Sequence, residues 1–351
     1  MDGILKKIKQ SDAFNRENRV PYLKVIVLMS LFTFVFLGAE FLFVNMISRI
    51  VSGHRSVAAQ NYALGVSAVG FVLYPLLCRF CKGNAQTSVS VCAAVISNAC
   101  LFLMCRSGSY TLTLIAGLLL FLILGVFGSA VFYKSICLLE DNTHIARLTG
   151  ISYMLGTMLQ IANSNLVHID IAEAAILSVF IMLLALMLIR AEKNSVVPAL
   201  SKSEPDGGNG RESLKISVIL VFFVALMTCI FSTLDNAVTL IHANGEANIG
   251  QWPRVLLALS GLLAGFLFDT ASRKYMSIVM YCITVLSTTC LVILQFAGSF
   301  TVGLVIFYLA AGFFAVFFTV SFMEIARYTE TPELWAGLGR AVNNLVAVLI
   351  S

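Results

Sequence analysis

A chain of 351 residues with 59 % hydrophobic and only 12 % charged residues is too apolar for a soluble domain, in which about a quarter of residues carry charge. The net charge of +5 makes no nucleic-acid footprint, because the basic residues are scattered between apolar stretches instead of forming one patch. What remains is an all-α, polytopic membrane helix bundle, since a single apolar segment in hydrocarbon satisfies its backbone only as a helix.

Residues 1–24 are polar and basic with no cleavable apolar core, which predicts a cytoplasmic tail and no signal peptide. Ten stretches long enough for the ~30 Å hydrocarbon core follow. They lie near 25–48, 61–78, 86–105, 110–133, 148–167, 171–189, 216–241, 252–268, 275–297 and 301–323. An eleventh begins near Ala336 and meets the end of the given sequence at Ser351. Spans 5 and 8 carry the weakest signal: Gln160, Asn163, Ser164 and Asn165 dilute one, and Arg254 stands near the start of the other.

One long polar connection, Arg190–Lys215, holds Pro198, Ser201, Ser203, Pro205 and the run Gly207-Gly208-Asn209-Gly210, the composition of a flexible linker. The expected organisation is therefore a tail (1–24), a six-helix bundle (25–189), a cytoplasmic linker (190–215) and a second, incomplete bundle (216–351). With the N-terminus inside, only Arg49, Arg55, Arg106 and Arg254 of the 23 Lys and Arg fall on the outer side. The other nineteen, Arg327 and Arg340 among them, fall on the inner side, a strong positive-inside bias. A multi-pass protein of the cell (plasma or inner) membrane is expected.

Most of the nine cysteines lie within spans, where Cys acts as a small hydrophobe. Cys78-x-x-Cys81 has no second pair, and the four histidines sit in loops or at span ends. Nothing here has ligand spacing, so neither a metal nor a cofactor is assigned.

The halves echo each other at an offset of about 190 residues. Gly70 answers Gly261, Gly117 and Phe121 answer Gly303 and Phe307, and Ala146-x-Leu148 answers Ala336-x-Leu338. Both repeats start from one membrane face, which gives a parallel repeat about an axis along the membrane normal.

On this layout, and on the loop Gly265-x-x-x-Asp269-Thr270-Ala271-Ser272-Arg273-Lys274, the chain resembles the major facilitator superfamily. The loop keeps the family signature's first Gly, its Asp and its final basic pair, but has Thr270 and Ser272 for a basic residue and a second Gly. The equivalent first-half loop, Tyr74 to Arg79, has lost both Gly and Asp. The resemblance implies two bundles that rock about a midplane site, with spans 1, 4, 7 and 10 around a central cavity. It also implies a cytoplasmic gate made of Gly265, Asp269, Arg273 and Lys274. The bland alternative for that loop is a topogenic charge cluster at a solvated membrane edge.

Ionised groups inside spans are costly, at least about 2.5–3.5 kcal/mol near the bilayer centre, and mark function by default. Glu40 in span 1 and Asp235 in span 7 occupy corresponding places in the two repeats. Thr228, Ser232, Asp235, Asn236 and Thr239 share one narrow helical face, and Ser30, Thr33, Glu40 and Ser48 share another. These stripes predict the walls of an acidic cavity without an intramembrane Arg or Lys, suited to a small neutral or cationic solute and a coupled proton. The competing reading makes Glu40 and Asp235 protonated helix-packing residues. Gly261-x-x-x-Gly265 and the polar face of span 5 read as close helix contacts.

Two functions emerge from different classes. The first is a secondary active transporter working by alternating access; the alternative is a transporter-like sensor module whose output domain follows this sequence. An integral membrane enzyme has no supporting constellation. The partners expected are a small solute, H⁺ and the lipid bilayer.

Overall fold

The computed structural model describes residues 16–51, 53–139, 143–194, 210–243, 253–270, 276–297 and 300–350. Among them the chain is built of eleven helices and no strands. They are α1 (Arg16–Ile50), α2 (His54–Phe80), α3 (Asn84–Arg106), α4 (Tyr110–Leu138), α5 (Ile145–Leu166) and α6 (Asp170–Asn194) in the first half. The second half holds α7 (Gly210–Ala243), α8 (Pro253–Phe268), α9 (Met276–Ala297), α10 (Phe300–Ala326) and α11 (Pro332–Ile350).

Each predicted span has its helix, and several helices outrun their span. α1 starts at Arg16, inside the expected tail, and α6 and α7 continue into the polar connection to Asn194 and from Gly210. Once a helix is nucleated, each added residue brings one hydrogen bond at little cost, so polar flanks extend it into the headgroup region. Residues 195–209 lie outside the described residues. Among those described, α1, α2, α3, α4, α6, α7 and α10 are long and apolar enough to cross a bilayer by length and composition. Arg254–Phe268 of α8 and Met276–Thr289 of α9 are shorter apolar helices.

The burial pattern is inverted relative to a soluble protein. Ser67, Ser97, Thr113, Ser129 and Thr228 are fully buried, whereas Phe80, Leu103, Val179, Phe222 and Tyr281 face outward. An apolar exterior this extensive is stable only against lipid. The polar interior is satisfied mainly by local back-bonds, such as Ser97 to the Ala93 carbonyl (2.9 Å) and Thr149 to the Ile145 carbonyl (2.8 Å).

The two halves repeat one packing scheme. α2 packs on α4 as α8 packs on α10, and across the halves α5 lies along α8 as α11 lies along α2. Glycine makes the crossings possible. A Cβ on Gly125 would meet backbone atoms of α2, Gly70 Cα at 3.0 Å among them, and one on Gly312 would lie 2.8 Å from the Gly261 nitrogen. The echo of Gly70 by Gly261 is thus a repeated close approach. Gly125→Val should lower the thermal midpoint of the purified protein, overpacking costing about 1–3 kcal/mol. An unchanged midpoint would mean that α2 and α4 separate freely.

Candidate functional site

A cavity of about 180 Å³ lies between the two halves, room for about six waters at ~30 Å³ each. α1 supplies Leu37, Glu40, Phe41 and Val44, one helical face at spacings of three and four. α7 supplies Phe231, Ser232, Asp235 and Val238, and α11 supplies Arg340, Asn343, Asn344 and Ala347 with the same periodicity. Gln60 of α2, Tyr153 of α5, Arg254 of α8 and Tyr308 of α10 complete the polar wall. Glu40 and Asp235, which the sequence pairs only by position in the repeats, therefore face one space.

The resemblance implied walls from spans 1, 4, 7 and 10. α1, α7 and α10 take that role, whereas no α4 residue lines this cavity, and α2, α5, α8 and α11 do. α4 instead sends Phe132 to a smaller cavity of about 30 Å³ nearer the end of the bundle where α6 finishes and α7 begins, hereafter the linker end. Thr33 lines that smaller space, together with Thr149, Thr319 and Arg340.

The other predicted residues divide. Ser232 lines the main cavity. Asn236 turns to α2, where Asn61 Nδ2 donates to its Oδ1 at 2.8 Å. Thr228 is buried; its hydroxyl donates to the Val224 carbonyl (2.8 Å) and lies 3.2 Å from Asn343 Oδ1. The side chain of Thr239 lies outside the described residues.

The acidic cavity free of Arg and Lys is corrected. Arg254 and Arg340, placed by sequence at the membrane edges, both line it. α11 starts at Pro332, before the expected Ala336, so Arg340 lies two turns inside the helix. Arg254 sits in the first turn of α8 and turns its long side chain inward. Its guanidinium donates to Gln160 Oε1 at 2.9 Å and rests 4.6 Å from the centre of the Phe41 ring. Arg340 lies between Phe36 (5.0 Å) and Phe318 (5.7 Å). Stacking on aromatic faces partly offsets the desolvation of each cation. The stripe Arg340, Asn343, Asn344, Ala347 was visible in the sequence as spacings of three and four. Reading Arg340 as a loop charge concealed it.

On the acidic side, Gln60 Nε2 donates to Glu40 Oε1 at 2.9 Å. Asp235 has no hydrogen-bond partner among the described residues, and the charges around it are Glu40, Arg254 and Arg340. Neither guanidinium is ion-paired with either carboxylate among those residues. A buried ion left without a partner costs several kcal/mol, so the arrangement is an unusual one for a purely structural core.

At the linker end, the halves meet through helix termini. Gly265 lets α8 approach α5: a Cβ there would lie 2.6 Å from the Ala146 carbonyl and 2.9 Å from Gly150 Cα. Just past α8, the backbone N–H of Arg147 donates to Asp269 Oδ2 at 3.0 Å, and Arg147 Nε lies 3.6 Å from the same oxygen. The Asp269 side chain is 1 % exposed. The residue before α5, His144, gives no side-chain cap, so a carboxylate from the other half caps this helix. Arg327 makes the complementary contact, donating to the Ile136 (2.9 Å) and Leu139 (2.7 Å) carbonyls at the end of α4. Arg273 and Lys274 lie outside the described residues.

No family model matches the chain, and no curated protein matches it by sequence. Solved structures do. FucP, the E. coli fucose:proton symporter, is a major facilitator superfamily transporter crystallised in the outward conformation. It aligns at TM-score 0.62 and 13 % identity over 96 % of this chain and 91 % of its own. The human organic anion transporter MFSD10 aligns at TM-score 0.62 and 13 % identity, over 96 % of this chain and 92 % of its own. The nucleoside transporter NupG aligns at TM-score 0.59 and 14 % identity, over 94 % and 89 %. These proteins differ in what they carry and agree in architecture, and the architecture of this chain is that of the major facilitator superfamily transporters.

Proposed function

We propose that this chain is a secondary active transporter that moves a small polar solute, together with a proton, by rocking its two helical halves around the central cavity. The observation that carries the reading is a charged cavity between two repeated halves, in a fold shared with transporters. Asp235 is assigned the proton and Glu40 the solute, with Ser232 beside them. Asn236, Thr228 and Thr33 hold the surrounding helices in register, and Thr239 belongs to the same face of α7. A neutral solute keeps its support. The cationic option loses its ground, because two guanidiniums balance the two carboxylates. Asp269, with Gly265 and the basic pair Arg273 and Lys274, is assigned to closing the linker end.

The direct test is flux in proteoliposomes that hold the purified protein under an imposed pH gradient. Accumulation of a solute that collapses with the gradient supports the reading. A protein that binds a solute tightly and carries no flux is a sensor, and the transporter assignment then fails.

We further propose that both the N-terminus and the 190–215 connection face the cytoplasm of a cell membrane, on the strength of the nineteen basic residues assigned to that side. With the native cysteines replaced, Gly208→Cys should resist an impermeant thiol reagent in intact cells and react after permeabilisation. Strong labelling in intact cells reverses the topology.

A further inference from the structure

We propose that the central cavity recognises a small zwitterion, a solute carrying one ammonium and one carboxylate such as an α-amino acid. The inference rests on the transporter reading for its site and goes beyond it in naming the ligand.

The argument starts from the order of charges along α1. Arg340 lies on the ring of Phe36, Glu40 follows one turn later, and Arg254 lies on the ring of Phe41. At 1.5 Å per residue, the Phe36 and Glu40 levels are ~6 Å apart along the helix axis. A positive and a negative group thus face one cavity about a helical turn apart. They are not ion-paired with each other among the described residues. Their present partners leave capacity unused. Arg340 Nε is buried without a hydrogen-bond partner among the described residues, and Gln60 donates to Glu40 Oε1 only. The second guanidinium is already engaged by Gln160 and Phe41.

Chemistry fixes the orientation. A guanidinium is a planar fork that binds a carboxylate through two parallel N–H bonds, so Arg340 takes the carboxylate of the solute. A carboxylate accepts from an ammonium, so Glu40 takes the amine. Asp235 remains free to carry the proton. A molecule with only one of these charges leaves a buried ion unanswered. One with neither, such as a polyol, leaves both. The cavity volume of about 180 Å³ admits a small amino acid and excludes a long peptide.

Thermal-shift titration of the purified full-length protein tests this with three matched series. They are the standard amino acids, their methyl esters (ammonium only) and their N-acetyl derivatives (carboxylate only), with myo-inositol and glycerol as neutral controls. At least one free amino acid should stabilise the protein with an affinity about 10- to 100-fold above its two derivatives, the worth of one charged hydrogen-bonded contact. The variants should then separate the two ends. Glu40→Gln weakens the amino acid but not its N-acetyl derivative, and Arg340→Gln weakens the amino acid but not its methyl ester. Loss of all binding in both variants, with folding intact by melting, counts against the assignment of ends.

Equal affinity for an amino acid and its ester or N-acetyl derivative overturns the proposal, as does silence of the whole amino-acid series at millimolar concentration. A polyol carried by the protein overturns it and leaves the transporter reading standing. A bound amino acid without flux supports it and sinks the transporter reading instead.

Discussion

Asp235→Asn should abolish accumulation driven by a pH gradient while leaving exchange of solute across the membrane intact. The change removes one titratable proton site and almost no volume. A carrier proton must leave and return in each cycle, and an amide cannot release it. Asp235 meets the structural requirement: it lines the cavity and has no hydrogen-bond partner among the described residues. One charge moved through ~100 mV releases ~2.3 kcal/mol, which sustains a concentration ratio of about 50. In the variant that ratio should fall to about one. Counterflow, which needs the solute site and the rocking motion but no net proton movement, should continue at a rate near that of the parent. Glu40→Gln should show the opposite split, a weakened solute affinity with coupling retained. If Asp235→Asn accumulates solute as the parent does, Asp235 is a packing residue and the proton travels elsewhere.

The class and layout of the fold were legible because they rest on long-range regularities of composition. Apolar stretches of membrane length and the recurring glycines reappear as helices and close crossings. Glu40 and Asp235 were legible for a related reason: a charge inside an apolar span stands out. Arg254 and Arg340 were hidden by the same rule. A basic residue near a predicted span edge reads as a loop charge, and only the true start of α11 at Pro332 and the inward turn of the Arg254 side chain place them in the cavity. Partners on neighbouring helices were the least legible. The pairing of Gln60 with Glu40, and of Gln160 with Arg254, depends on how the helices cross, which periodicity along one helix does not encode. The absence of α4 from the main cavity has the same origin.

Asp269→Asn should raise the population open at the linker end. The Asp269 carboxylate belongs to the second half and accepts from the Arg147 N–H, the third residue of α5 in the first half. The first N–H groups of a helix lack intrahelical partners, and the helix dipole places partial positive charge there. A carboxylate at this position is worth about 0.3–1 kcal/mol when exposed, and up to ~2 kcal/mol when partly buried. The upper figure suits a side chain that is 1 % exposed. Rocking the halves apart at this end must break the contact, so its energy enters only the closed state. A contact made equally in both states shifts nothing. The neutral amide loses the charge and keeps the shape, and should shift the balance by roughly 5- to 30-fold, the equivalent of about 1–2 kcal/mol. Thr319→Cys reports the change, because Thr319 lines the small cavity at the linker end. In a background without native cysteines, its modification from the linker end should accelerate by that factor in Asp269→Asn. Arg327→Gln, which removes the matching contact to the Ile136 and Leu139 carbonyls, should act in the same direction. The double variant should exceed either alone, since the two contacts tie different helix pairs. Solute affinity at the central cavity should change much less. Modification of Thr319→Cys at the parent rate in both variants would reduce Asp269 and Arg327 to charges that set topology and hold no gate.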